Sequence, residues 1–225
     1  MGKEIFEEDV TRYVCDYTRL FPKGDEIRGE ALRFNEAIIE ANHALSSMHI
    51  TWGGLRWVEL ASMWNSLMPF LNDTLVFLVK TVPNVIEVNS CNYASVDGTS
   101  VGEPQVTNPN LLDRELNTQT GNVKITLSDV TAKEERKYQK ELDDCFKKAI
   151  HHLGEMANIL NSTKGCDMWE GPAASNTRNN FAETKENIET SFKKMNIKVI
   201  TCIDNAIKDL QTQDEDAAAN ANVLK

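Results

Sequence analysis

The sequence predicts an all-α fold, and three observations predict it. Apolar residues recur at helical spacing over four long stretches; a Trp-x-Gly tripeptide occurs twice where such stretches meet; and the residues that follow each tripeptide keep one apolar phase. The tripeptides are Trp52-Gly53-Gly54 and, 117 residues further on, Trp169-Glu170-Gly171. Each reads as the turn of a helical hairpin. Gly54 and Gly171 can take positive φ without steric cost and so end a helix sharply, while Trp52 and Trp169 can cap a helix pair with a large apolar ring.

Counted from each tryptophan, positions +12, +19, +23, +26, +30 and +34 are Trp64, Leu71, Leu75, Leu78, Val82 and Ile86 in the first copy and Phe181, Ile188, Phe192, Met195, Val199 and Ile203 in the second. Any two amphipathic helices share a period, but a phase shared relative to a turn points to an internal duplication. The expected architecture is two helical hairpins in one chain forming an antiparallel four-helix bundle, with a short extra N-terminal helix and an irregular linker between the repeats. The expected boundaries are residues 1–21 for the N-terminal helix, 22–97 for the first hairpin, 98–130 for the linker and 131–225 for the second hairpin.

Within the first segment, Phe6, Val10, Tyr13, Val14, Tyr17, Leu20 and Phe21 have helical spacing, and Phe21-Pro22-Lys23-Gly24 punctuates the chain before Asp25 caps the next helix. That helix carries Ile27, Phe34, Ile38, Leu45 and Met48 up to the first turn. The return helix runs from Leu55 to Ile86. Its most apolar part, Trp64 to Val79, is interrupted by Asn65, Pro69, Asn72 and Asp73, which reads as a buried helix and not a membrane span. Pro69 lacks the amide the helix needs and predicts a kink or break there; Pro83 predicts a helix end, with Ile86 to Asp97 a separate short segment.

Residues 98–130 are rich in Gly, Pro and Asn and read as an extended or disordered linker, with Asn122 to Ser128 alternating enough for a short strand. Thr131-Ala132-Lys133-Glu134 is a capping box that starts the third long helix. Pro172 suits the first position of the fourth, which should reach about Thr212, with Ala217 to Asn222 frayed.

The net charge of −10 disfavours nucleic acid and anionic membrane as partners, and no apolar run supports stable membrane insertion. The N-terminus is acidic and has no signal-peptide core. Cys15, Cys91, Cys145, Cys166 and Cys202 form no Cys-x-x-Cys pair; they read as isolated thiols, with one disulfide as the alternative. His43, His49, His151 and His152 show no metal-ligand spacing, and no phosphate loop or nucleophile elbow occurs, so neither a catalytic residue, a metal nor a cofactor is expected.

On the two Trp-x-Gly turns and the phase after them, the chain resembles a tandem, single-chain version of the WXG100 (ESAT-6-like) proteins, over roughly 25–97 and 131–214. That family consists of helical hairpins that pair into four-helix bundles and leave the cell by type VII secretion, carrying a Tyr-x-x-x-Asp/Glu export signal about forty residues beyond the tryptophan. Tyr93 and Asp97 match that signal, starting 41 residues after Trp52, whereas Leu210 stands where the second copy would need its tyrosine. The resemblance implies a non-enzymatic protein, cytoplasmic before export and then secreted without a cleavable signal peptide. Its implied partners are a type VII secretion ATPase or another secreted WXG- or LXG-type protein. In an antiparallel bundle Tyr93 and Asp97 should lie nearer to Trp169 than to Trp52.

The alternative is a cytoplasmic scaffold or chaperone that escorts a larger effector of the same pathway. An exposed apolar groove along Trp57, Leu60, Leu67, Phe70 and Phe77 would serve it, or would join two copies as a homodimer.

Overall fold

The computed structural model describes residues 13–118, 129–164 and 167–223, and over these the protein is all-helical. The elements in order are β1 (Val14–Cys15), α1 (Tyr17–Thr51), α2 (Leu55–Val76), a π-helical turn (Phe77–Thr81), α3 (Val82–Val96), α4 (Asp129–Ser162), β2 (Trp169–Glu170) and α5 (Pro172–Val223). The expected strand at 122–128 and the first residues of the expected N-terminal helix lie outside the described residues.

The N-terminal segment differs from expectation. Tyr13 to Asp16 are not helical, and Tyr17 to Phe21 are the first turns of α1 and not a separate helix. Asp16 is the true cap: its carboxylate accepts from the Arg19 amide at 3.3 Å and from the Thr18 hydroxyl at 2.8 Å. α1 then continues through Pro22 and Gly24. The carbonyl orphaned by Pro22 belongs to Thr18, which is exposed, so water can satisfy it. Gly24 has a packing reason: a Cβ there would lie 2.6 Å from Cγ of Glu87, so the bare backbone lets α3 approach.

The prolines of the return segment also act differently from expectation. α2 runs unbroken through Pro69, which is exposed. The irregularity sits instead just before Pro83, where the Val82 amide donates to the Phe77 carbonyl five residues back. Pro83 can supply no amide to Val79, and the wider π turn relieves the crowding of its ring against that carbonyl. The chain stays helical to Val96, where a Schellman motif ends it. Gly98 takes φ 69°, its amide donates to Ser95 O at 3.1 Å, and the Thr99 amide donates to Ala94 O at 2.9 Å.

Side-chain pairs fix how the long helices run. His152 meets Glu30 at 2.7 Å and Lys148 meets Glu40 at 2.8 Å, so α4 is antiparallel to α1. Asn196 donates to Asp143 at 2.8 Å and Arg136 pairs with Asp204, so α5 is antiparallel to α4. Arg56 pairs with Asp209 at 3.0 Å and Lys198 with Glu59 at 2.9 Å, so α5 is antiparallel to α2 as well.

The core lies along the centre of this arrangement. Phe146 of α4 stacks on Phe192 of α5 with centroids 4.3 Å apart, and Trp64 of α2 stacks on Phe146 at 6.3 Å. The Trp64 indole donates to Asn42 of α1 at 2.9 Å, so its one polar atom is satisfied where four helices meet. All twelve residues that share phase after the two tryptophans are at most 3% exposed. Fully burying such a side chain contributes about 1.5–3 kcal/mol.

At its C-terminal end α5 passes the expected stop at Thr212 and remains helical through Val223. Residues 211–219 are exposed; alanines at 217–219 favour helix without tertiary packing. α4 begins two residues before the capping box, at Asp129.

Candidate functional site

The two Trp-x-Gly turns share a backbone device. Gly54 has φ 84° and Gly171 φ 119°, conformations that side chains resist. Both tryptophans face inward: Trp52 is 7% exposed and Trp169 1%. Each therefore closes an end of the core and offers little ring surface to a partner. Trp52 meets Trp57 edge-on at 6.0 Å, and His49 stacks on Trp57 at 4.7 Å, which gives this histidine a packing role.

The second turn is tied down further. β1 pairs antiparallel with β2, Cys15 opposite Trp169, and the Asp16 amide donates to Met168 O at 2.8 Å. Arg178 lies over the Trp169 ring, 5.6 Å from its centroid, and donates to the Trp169 carbonyl at 2.8 Å and to Thr163 Oγ1 at 2.9 Å.

Tyr93 is helical and half-buried, and Asp97 is the exposed C-cap one turn later. An acidic side chain at a helix C-terminus opposes the macrodipole, so local stability does not account for Asp97. The segment just beyond it touches α1: Thr99 Oγ1 lies 3.4 Å from the Tyr17 hydroxyl. Tyr17 follows the strand that pairs with Trp169, whereas Trp52 caps the opposite end of the 35-residue α1, about 52 Å away along the helix axis.

Trp57 and Leu60 are fully buried and provide no free surface, and Leu67, Phe70 and Phe77 are partly buried against the core. Of the expected apolar groove, Trp57 and Leu60 therefore belong to the core, and Leu67, Phe70 and Phe77 keep part of their surface exposed. Beside Trp57 lies the protein's own segment between α3 and α4, the linker of the sequence expectation.

From Gly102 to Asn117 that segment has no secondary structure, yet it is held by side chains of the helices. Asn35 donates to Asn110 O and accepts from Asn110 N, both at 2.7 Å. Asn72 does the same for Leu112 at 2.9 and 2.8 Å, and Asn65 for Leu116 at 2.8 Å in both directions. Glu87 accepts from Gln105 N at 2.7 Å while its ion-pair partner Arg28 donates to Gln105 O at 3.1 Å, so the pair acts as a split carboxamide. The Trp57 indole donates to Asn117 O at 2.8 Å. Leu112 and Leu116, 4% and 6% exposed, anchor the segment in the core. The signal for this in the sequence was Asn65 and Asn72, two carboxamides seven residues apart within the most apolar stretch.

Cys166 lies outside the described residues, and the four described thiols are poorly placed for chemistry. Burial, and then the charge of Asp16, pushes Cys15 up to about 11, and burial likewise raises Cys91, Cys145 and Cys202. Among the described residues no group of three or more His, Cys, Asp or Glu could hold a metal ion, and no helix is long and apolar enough to cross a membrane. Comparison of the chain with protein-family models, with curated proteins and with solved structures finds no match to any of them.

Proposed function

We propose that the chain is a non-enzymatic protein of the WXG100 type in tandem form, two helical hairpins paired within one chain as an antiparallel four-helix bundle. It is made in the cytoplasm and exported by type VII secretion as substrate or targeting partner. The antiparallel neighbours α1/α4, α4/α5 and α5/α2 support the bundle, and the two positive-φ glycines support the pair of turns. Tethering would replace a bimolecular assembly step with an intramolecular one.

The observation that carries the export reading is the placement of Tyr93 and Asp97: a half-buried ring and an exposed carboxylate one turn apart, at a helix end where that carboxylate is locally unfavourable. A secretion ATPase is the partner that would read them. The test is export from the native host of wild type, Tyr93→Ala and Asp97→Ala, with helicity checked by circular dichroism. Folded variants retained in the cell support the reading, and unchanged export of both removes the address.

A second reading, a cytoplasmic scaffold or chaperone that escorts a larger effector, is favoured by one observation. The helices hold an extended segment chiefly by its main chain, a way of binding that can serve many sequences.

A further inference from the structure

The clamp on residues 105–117 has the chemistry of a peptide-binding groove. An extended residue presents its N–H and C=O on one edge, and a carboxamide offers one acceptor and one donor at matching separation. A single Asn therefore stands in for a neighbouring β-strand. The groove does this at Asn110, Leu112 and Leu116 with Asn35, Asn72 and Asn65, and the Glu87–Arg28 pair does it at Gln105. All of these contacts read backbone. Side-chain selection rests on two buried positions, Leu112 and Leu116, while residues 113–115 between them are exposed.

An ordinary linker has no need of such a device. A connection from α3 to α4 could cross the surface with its amides in water, as loops generally do. Here four residues each have both main-chain polar groups satisfied by helix side chains, three of them asparagines, and asparagine has low helix propensity. Pro104 and Pro109, which carry no amide, each stand immediately before a clamped position, Gln105 and Asn110, and never on one.

We propose that the groove formed by α1, α2 and α3 is a peptide-binding site whose present occupant, residues 105–117, is a tethered ligand. The site takes in its place an extended segment of a partner protein with two leucine-like residues four apart and free amides at the clamped positions. The tether holds the internal segment at high effective concentration, so an external peptide competes poorly until that segment is weakened or drawn away. The charges of the groove do not restrict the partner, because Arg28 and Glu87 already neutralise each other. The proposal is independent of export, since the groove could bind a partner whether or not Tyr93 and Asp97 are an address.

Two measurements test it. The first is hydrogen exchange on the unmodified protein, following the amides of Gln105, Asn110, Leu112 and Leu116. Release of the segment without unfolding predicts exchange at least ~100-fold faster than for core amides of α1 and α4. Exchange of both sets at one rate would mean that the segment leaves only on global unfolding, and would overturn the proposal.

The second is fluorescence anisotropy with a labelled synthetic peptide of residues 103–118 as probe, against wild type and against the Leu112→Ala/Leu116→Ala chain. Saturable binding is expected for the variant, at least ~100-fold tighter than for wild type, given the advantage a tether confers. Adding Asn72→Leu should weaken it about tenfold or more, because a groove that reads backbone loses two hydrogen bonds at once. No saturable binding, or binding indifferent to Asn72→Leu, overturns the proposal. So does a concentration-dependent dimer whose clamped amides stay protected, since the occupant would then be a second copy's segment.

Discussion

Phe146 and Phe192 stack nearly parallel, 10° apart in plane and 4.3 Å between centroids, and this contact joins α4 to α5 beneath Trp64. Three helices thus meet on one aromatic column. Truncating Phe192 leaves a cavity that the Phe146 ring cannot fill without moving. Phe192→Ala should destabilise the protein by about 3–5 kcal/mol, read as a lowered midpoint in urea with the m-value unchanged. Phe192→Leu should cost less than half of that.

The two turn glycines should be separable from the tryptophans beside them. Gly54 holds φ 84° and ψ −172°, a region essentially reserved for glycine. Gly54→Ala should cost about 1–3 kcal/mol through backbone strain alone, with the helical circular dichroism of the folded protein retained. A cost near zero would mean that the turn relaxes to another conformation.

Acid should weaken the protein through two carboxylates. Hydrogen bonds from Thr18 and from the Arg19 amide hold Asp16 below its ordinary 3.8, and the hydrogen bond from Lys198 leads the effects that hold Glu59 below its ordinary 4.5. A carboxyl group with a lower pKa folded than unfolded contributes stability above its unfolded value. It loses that contribution as pH falls through the folded value. Tm should therefore fall as pH drops from about 4.5, and Glu59→Gln should flatten the upper part of that fall. Both side chains keep about a third of their surface exposed, so the effect should also shrink in high salt.

Cys15, Cys145 and Cys202 should be slow to alkylate. A shift of Cys15 from 9.0 to about 11 reduces its thiolate fraction about 100-fold near neutral pH. Cys145 and Cys202 are buried in addition, so iodoacetamide should reach them at a rate set by opening of the fold. Mass-spectrometric labelling with and without denaturant checks this, and rapid labelling of Cys202 in the folded protein would contradict the packing of α5.

What the sequence by itself determined was the part that rests on local physics. Helical periodicity marked which faces are buried, because a 3.6-residue repeat needs no knowledge of the partner; all twelve phase-matched positions from Trp64 to Ile203 are core. Glycine's access to positive φ likewise located both turns, and Pro172 marked the start of α5. The tertiary structure alone decided whatever depends on residues distant in the chain. Tyr13 to Asp16 have the spacing of a helix but Val14 and Cys15 lie as a strand, because Glu170 and Trp169 supply the opposite edge. Pro69 reads in sequence as a kink and Pro83 as a helix end, yet α2 runs through Pro69 and the turn before Pro83 only widens to a π-helix. The clamp was hidden for the same reason. Asn35 and Asn110 lie 75 residues apart, and a carboxamide on a helix reveals nothing about what it will hold until packing brings an extended backbone within hydrogen-bond reach.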